Sequence, residues 1–186
     1  TILKTENVKE SYIQEIEKDV DRLNIIANRF SKIGSIPELK NENIVLVANN
    51  AFMYLKTRSS KQIDFQFSSS SNTITIKLNK ELFGWVIENL IKNAIDAMSG
   101  KGQLSFSIKE KTKSIEILVS DSGKGIPKNK FKKIFRPGYT SKARGWGLGL
   151  SLSKRIIEDY HNGKIFVKSS EVGNGATFQI NLPKAV

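Results

Sequence analysis

Residues 88–97 read Glu-Asn-Leu-Ile-Lys-Asn-Ala-Ile-Asp-Ala and lie within a longer stretch, residues 81–98, whose apolar side chains recur at helical spacing. Asn89, Asn93 and Asp96 stand at positions i, i+4 and i+7, so they share one face of the predicted helix. Two amide oxygens on one face suit a hard cation such as Mg²⁺, which completes its shell with water and phosphate. Taken alone, the pattern favours an exposed polar face over a metal site.

Two glycine-rich stretches follow this helix in the sequence. In residues 121–125, Asp121 ends a predicted strand and glycines come after it, so its carboxylate lies beside backbone that can approach a flat ligand such as adenine. Residues 145–150 read Gly-Trp-Gly-Leu-Gly-Leu and open a helix, where free N–H groups favour phosphate. The second stretch lacks the Gly-Lys-Ser/Thr ending of a Walker loop, and neither stretch is specific alone.

Composition limits the possible functions. The chain has 186 residues with a net charge of +12, and residues 124–155 hold ten basic and no acidic residues, which indicates an anionic partner. The absence of cysteine excludes disulfides and thiolate metal sites, and a single histidine excludes a multi-histidine metal cluster. The longest apolar runs are far too short to cross a bilayer, and the sequence shows no signal peptide.

Periodicity predicts an α+β fold over residues 37–186. Helices are predicted at residues 44–55, 81–98 and 148–160, and alternating apolar residues predict strands at 63–67, 74–78, 104–108, 115–119, 165–168 and 176–182. Residues 34–43 are predicted as a linker, and residues 121–147 as a loop. Because strands and helices are intermixed with several hairpins, we expect a two-layer sandwich: a mixed, mostly antiparallel sheet with helices on one face.

Residues 6–33 are predicted to form one long helix that precedes this sandwich. Apolar residues from Ile13 to Phe30 alternate at spacings of three and four, which is the a/d pattern of a helix-bundle seam. Such a narrow seam needs partner helices, so we expect residues 1–36 to be a separate domain that mediates homodimerisation. Packing of the helix on its own domain is the alternative.

The motifs together are far more specific than any one of them. Read in order, Asn-x-x-x-Asn-Ala, Asp-x-Gly-x-Gly, Phe-x-Pro-Gly-Tyr-Thr-Ser-Lys, Gly-x-Gly-Leu-Gly-Leu and Gly-x-Gly-Ala-Thr-Phe resemble the catalytic ATP-binding domain of sensor histidine kinases. The same superfamily includes the heat-shock chaperone, type II topoisomerase and mismatch-repair ATPases. The resemblance covers roughly residues 40–186, while residues 6–33 resemble the second helix of the dimerisation and phosphotransfer hairpin.

The resemblance implies a role for each matching residue. Asn89, Asn93 and Lys142 would be catalytic: Asn89 on Mg²⁺, Asn93 near the metal and the phosphates of ATP, and Lys142 reaching the terminal phosphates. Asp121 would bind adenine, supported by Thr177. The remaining implied nucleotide-binding residues shape the adenine pocket and the phosphate loop: Gly123, Gly125, Gly145, Gly147, Leu148 and Gly149.

Several residues separate this chain from other superfamily members. The hydrolysing members carry Glu at the position of Asn89, where it activates water; an amide cannot take that proton, which favours a kinase. Many histidine kinases carry a basic residue where this chain has Asp96, so Lys142, with Arg144 as a second candidate, would supply that charge. Phe131 and Phe135 would belong to the segment that serves as a lid in this family, and their main role would be packing. Trp146 is expected to anchor the loop.

The expected function is phosphoryl transfer from Mg-ATP to a histidine in a two-component system. His161 lies where a predicted helix ends and is interpreted as structural. We therefore expect no phosphoacceptor histidine in this chain and expect that histidine upstream of Thr1. Expected partners are ATP, a response regulator receiver domain and a second copy of the chain. We expect no nucleic acid, no membrane contact by this chain and a cytoplasmic location; a basic nucleic-acid-binding module and a non-catalytic dimerisation module are the alternatives.

Overall fold

The computed structural model describes residues 12–14, 16–17, 20, 37–142 and 145–184, and it divides into two units, Thr1–Pro37 and Glu38–Val186. In the first unit residues 12–14, 16–17 and 20 are helical, and Ile13, Ile16 and Val20 expose about half or more of their surface. The rest of the helix predicted over residues 6–33 lies outside the described residues. Nothing among the described helices has both the length and the apolar character that a membrane span requires.

The described residues of the second unit form seven strands and three α-helices. The strands are β1 (Lys40–Asn43), β2 (Ile63–Ser69), β3 (Thr75–Leu78), β4 (Gly102–Glu110), β5 (Ser114–Asp121), β6 (Lys164–Glu171) and β7 (Gly175–Pro183). The helices are α1 (Ile44–Lys56), α2 (Lys80–Met98) and α3 (Gly149–Arg155), and α3 continues as a π-helical turn, Ile156–Tyr160. Two short 3₁₀ turns, Lys128–Lys130 and Lys133–Phe135, lie in the segment between β5 and α3.

Five strands form one sheet in the order β2-β4-β5-β7-β6, in which only the β2–β4 pair is parallel. Alternate residues of these strands are buried against the helices, as in Ile115, Ile117 and Val119 of β5. Phe52 of α1 packs its ring against three phenylalanines on β2 and β4, Phe65, Phe67 and Phe106. The expected two-layer α+β sandwich, with a mostly antiparallel sheet, is therefore confirmed.

Asparagine side chains fix the starts of the two long helices. Asn43 Oδ1 accepts the N–H groups of Val45 and Ile74, which ties the start of α1 to the chain before β3. Asn79 Oδ1 accepts the N–H of Leu82 and caps α2, the helix that carries the polar face. The α2 helix ends at Ser99, which adopts a left-handed conformation with φ of 52°.

One prediction about the connections was wrong. Residues 40–43 are not linker but the strand β1, which pairs antiparallel with β3 in a separate two-stranded sheet. Strands β2 and β3 are consecutive but do not pair, because β2 lies parallel to β4 after a crossover through β3 and α2. Short polar strands such as Lys-Asn-Glu-Asn carry too little apolar alternation to be found by periodicity.

His161 is a buried structural residue, 4% exposed. Its Nε2 accepts the N–H of Asn79 at 3.0 Å, and its Nδ1 lies 2.7 Å from the carbonyl oxygen of Ile156. Only a neutral imidazole can accept at one nitrogen and donate at the other. Burial lowers the pKa of His161, and the hydrogen bond to Ile156 offsets part of that shift.

We predict that this histidine makes the folded chain less stable as the pH falls below about 6.5, the usual pKa of histidine. The unfolded chain takes up the proton first, so the contribution is complete above that pKa and is lost as the pH falls toward the lower pKa of the folded state. Urea unfolding between pH 7.5 and 5.5 measures it. His161→Gln, which can still accept and donate, is the control: an equal pH dependence in this variant would contradict the assignment.

Candidate nucleotide-binding site

The polar face of α2 is covered by the start of α3. Asn89 Nδ2 donates to Ser153 Oγ at 3.0 Å, and Ser153 is 2% exposed. Gly149, the first residue of α3, lies so close that a Cβ there would overlap Asn89 Oδ1. A side chain at this position would force the amide of Asn89 to move. The predicted phosphate loop and the first predicted amide are thus in direct contact.

Further along the same face, a side chain from the segment between β5 and α3 reaches α2. Lys142 Nζ donates to Asn93 Oδ1 at 3.0 Å and forms an ion pair with Asp96. We call residues 127–147 the lid. The lid therefore contacts the face of α2 that carries Asn89 and Asn93, and the ammonium of Lys142 is hydrogen-bonded to Asn93 Oδ1.

Asp121 lies at the end of β5 in a half-buried position. Its Oδ1 accepts the N–H of Gly123 at 2.8 Å. Burial raises the pKa of Asp121, while hydrogen bonds from the backbone N–H groups of Gly123 and Ala176 oppose the shift. The carboxylate is held in one orientation and keeps acceptor capacity for a further donor.

The glycines after Asp121 are required by close packing. A Cβ on Gly123 would lie 2.6 Å from the backbone of Ala97 in α2, and one on Gly125, where φ is +69°, would overlap the carbonyl oxygen of Glu171. The N–H of Lys124 donates to the carbonyl oxygen of Ala97 at 3.0 Å. These contacts bring Asp121 and the C-terminal part of α2 together on one side of the sheet.

Thr177 lies on β7 beside the end of β5. Its Oγ1 donates to Ser120 Oγ at 2.9 Å, and the neighbouring pair in the register is Asp121 with Ala176. Thr177 is therefore adjacent to Asp121, as the resemblance implied, although its hydroxyl bonds Ser120 rather than the carboxylate.

The lid is closed on itself by glycines and anchored by one phenylalanine. The N–H of Gly138 donates to the carbonyl oxygen of Gly147 at 3.0 Å, and Gly147 has φ of +66°. Phe135 is buried, with its ring 6.4 Å from that of Phe178, which confirms its packing role. Trp146 is 60% exposed, so the expectation that it anchors the loop is wrong.

The sequence profile of the family described as histidine kinase-, DNA gyrase B- and HSP90-like ATPase matches residues 78–186, which is more than half of the chain. The chain belongs to this ATPase family. Membership carries ATP binding, and the matched residues span α2, the loop after β5, the lid and α3. The resemblance inferred from the motifs is confirmed.

Individual relatives of the chain support its membership of this family. The sensor histidine kinase ZraS of Salmonella typhimurium is 34% identical over 174 residues, which cover 91% of this chain and 37% of that protein. The catalytic domain of histidine kinase ThkA in a nucleotide-free form has a TM-score of 0.73 and 31% identity, covering 80% of this chain and 97% of that one. The chain spans less than half the length of the curated relatives it matches.

A second ThkA structure contains a response regulator protein, TrrA. There the TM-score is 0.76 with 27% identity, and the match covers 94% of this chain and 51% of that one. The match therefore extends beyond the ATPase domain proper into the N-terminal part of the chain.

Sequence reasoning missed two residues that hold the candidate site together. Ser153 positions Asn89, yet nothing in its local pattern distinguishes it from Ser151 of the same helix. Gly175 has φ of +90°, and a Cβ there would overlap the carbonyl oxygen of Asp121. The glycine spacing before Thr177 contains that signal, because a glycine at the start of a buried strand indicates a positive φ or a close approach of another backbone.

Proposed function

We propose that this chain is the ATP-binding catalytic part of a two-component sensor histidine kinase, which transfers the γ-phosphate of ATP to a histidine outside these 186 residues. The observation that carries the proposal is the amide of Asn89, fixed by Ser153 at the position where a hydrolase needs a carboxylate base. The acidic residues nearest along α2 are both engaged: Glu88 pairs with Lys92 at 3.1 Å, and Asp96 pairs with Lys142.

The residues act by position and charge, as is usual in phosphoryl transfer. Asp121 accepts the exocyclic amine of adenine and thereby fixes the base beside Gly123. The phosphates extend along the polar face of α2 toward Gly149, and Lys142 donates to the terminal phosphate from the lid. The imidazole lone pair attacks the γ-phosphorus, the bond to the β–γ bridging oxygen breaks, and ADP leaves with the electron pair.

The amide oxygens of α2 fit a magnesium ion. Asn93 Oδ1 already accepts from an ammonium group, and among the described residues no cluster of three or more His, Cys, Asp or Glu side chains offers another metal site. Asn89 is the predicted ligand: its Nδ2 donates to Ser153 Oγ, which leaves its Oδ1 as an acceptor for the cation, whereas Asn93 would lie near the metal and the phosphates. When bound, Mg²⁺ would neutralise charge on the β- and γ-phosphates.

The acceptor histidine is not His161, the only histidine of the chain. That imidazole is buried and both nitrogens have backbone partners, so neither can attack phosphorus. Support for a helical acceptor domain and a homodimer comes from the a/d pattern of residues 6–33 and the exposed Ile13, Ile16 and Val20. The response regulator in the ThkA complex supports a receiver domain as the second acceptor.

The experiment that tests the proposal uses γ-³²P-labelled ATP with the protein that contains this chain. We expect label on protein that is stable to alkali and lost in acid, as for a phosphorus–nitrogen bond, and mass spectrometry should place it on a histidine other than His161. Release of inorganic phosphate without labelled protein would instead indicate a hydrolase, and phosphate on His161 would contradict the structural role of that residue.

A further inference from the structure

Lys142 and Asp96 form an ion pair that joins the lid to α2. Lys142 lies 46 residues after Asp96 in the sequence, and its Nζ also donates to Asn93 Oδ1 at 3.0 Å. The two side chains remain about half exposed, 46% for Lys142 and 55% for Asp96. Exposed pairs of this kind contribute little to folding stability, so stability does not explain the arrangement.

Among the described residues, Lys142 is the cation that pairs with Asp96. Lys92, one helical turn before Asp96, already pairs with Glu88 at 3.1 Å. In the described part of the chain, the cation that neutralises Asp96 is therefore supplied by the lid and not by α2. Without Lys142, a bare carboxylate would stand on the same face as Asn89 and Asn93.

That face is where the proposed function places the phosphates of ATP, which a bare carboxylate would repel. The ammonium of Lys142 has three N–H donors, of which one goes to Asn93 and one to Asp96. The third is left for a phosphate oxygen. The pair thus neutralises Asp96 and places a cation beside Asn93 at the same time.

From this geometry we infer that Asp96 is a positioning residue, whose carboxylate holds the lid lysine on the amide face of α2 before nucleotide arrives. The inference rests on the proposed function. Its consequence is that Asp96 has opposite effects in two settings: it helps nucleotide binding through Lys142 when the lysine is present, and it hinders binding when the lysine is absent.

A double-mutant cycle on Mg-ATP affinity tests this dependence with Asp96→Asn, Lys142→Met and the combined variant, by calorimetry on the 186-residue chain. In the Lys142→Met background, Asp96→Asn should strengthen binding about threefold, because it removes a repulsive charge. With Lys142 present, Asp96→Asn should instead weaken binding, because the ammonium is no longer docked beside Asn93, so the two sites should be coupled by more than about threefold. Asp96→Glu, which can still reach the lysine, should retain the behaviour of the unmodified chain.

The nucleotide-free chain supplies a second measurement. Trp146 lies in the lid, and Trp85→Phe leaves it as the single tryptophan of the two in the chain. Asp96→Asn and Lys142→Met should change the emission and acrylamide quenching of Trp146 in the same way. Glu88→Gln, which breaks a comparable ion pair on the same helix, is the matched control and should leave both unchanged.

Equal effects of Asp96→Asn in the two backgrounds, or Trp146 emission that neither variant changes, would contradict the inference. Failure of the unmodified chain to bind Mg-ATP would count against the proposed function instead. In that case the Trp146 measurement would still decide whether Asp96 positions the lid.

Discussion

Asp121→Asn should weaken ATP binding by about 10- to 100-fold, the loss expected when a charged acceptor of a buried hydrogen bond is replaced. The amide can still accept the N–H of Gly123, so the loop after β5 should keep its shape. Its NH₂ group, however, would face the exocyclic amine of adenine, and two donors cannot pair. Calorimetric titration with ATP measures the change.

The matched control for this variant is Asp64→Asn, an exposed carboxylate on β2 whose partner is Gln66. It should bind ATP like the unmodified chain. A further check comes from pH: because burial raises the pKa of Asp121, ATP affinity should fall as the pH drops through that raised pKa. Unchanged affinity in Asp121→Asn would place adenine elsewhere.

Asn93→Ala should lower phosphoryl transfer by about 10²- to 10³-fold, which is the typical cost of removing one group that stabilises transition-state charge. The variant loses the oxygen that accepts from the ammonium of Lys142, so the cation proposed to reach the terminal phosphate is no longer held beside it. Affinity for ATP in the absence of metal should change little, because Asp121 and its glycines are untouched. The rate of labelling from γ-³²P-ATP over a range of Mg²⁺ concentrations measures the effect.

Asn50→Ala is the control for this second change, since it removes an exposed amide from α1, far along the chain from the polar face. It should transfer phosphate at the normal rate. Full transfer in Asn93→Ala would contradict a role for this amide in holding Lys142 beside the phosphates.

Local patterns were sufficient to predict α2 and the loop after β5. The spacing of Asn89, Asn93 and Asp96 defines one helix face whatever the helix packs against, and Asp121 with its glycines identifies a strand end. The sandwich followed from the same alternation of apolar residues. These features depend on neighbours a few residues away, which a sequence displays directly.

The contacts that assemble the site were beyond such reasoning. Ser153 bonds an amide 64 residues earlier in the sequence, and Lys142 reaches across 46 residues to Asp96. Pairing of β1 with β3 likewise depends on tertiary packing, because β1 itself has no apolar alternation. Trp146 illustrates the same limit. Its size suggested that it anchors the loop, but the fold leaves its side chain exposed.

We propose that one pocket holds the adenine of ATP at Asp121 and its phosphates along α2. A crystal structure of the chain with magnesium and a non-hydrolysable ATP analogue tests it most directly. We predict the adenine amine within hydrogen-bond distance of the Asp121 carboxylate and the γ-phosphate beside Asn93 and Lys142. Adenine bound away from Asp121, or phosphates directed away from the polar face of α2, would contradict the account.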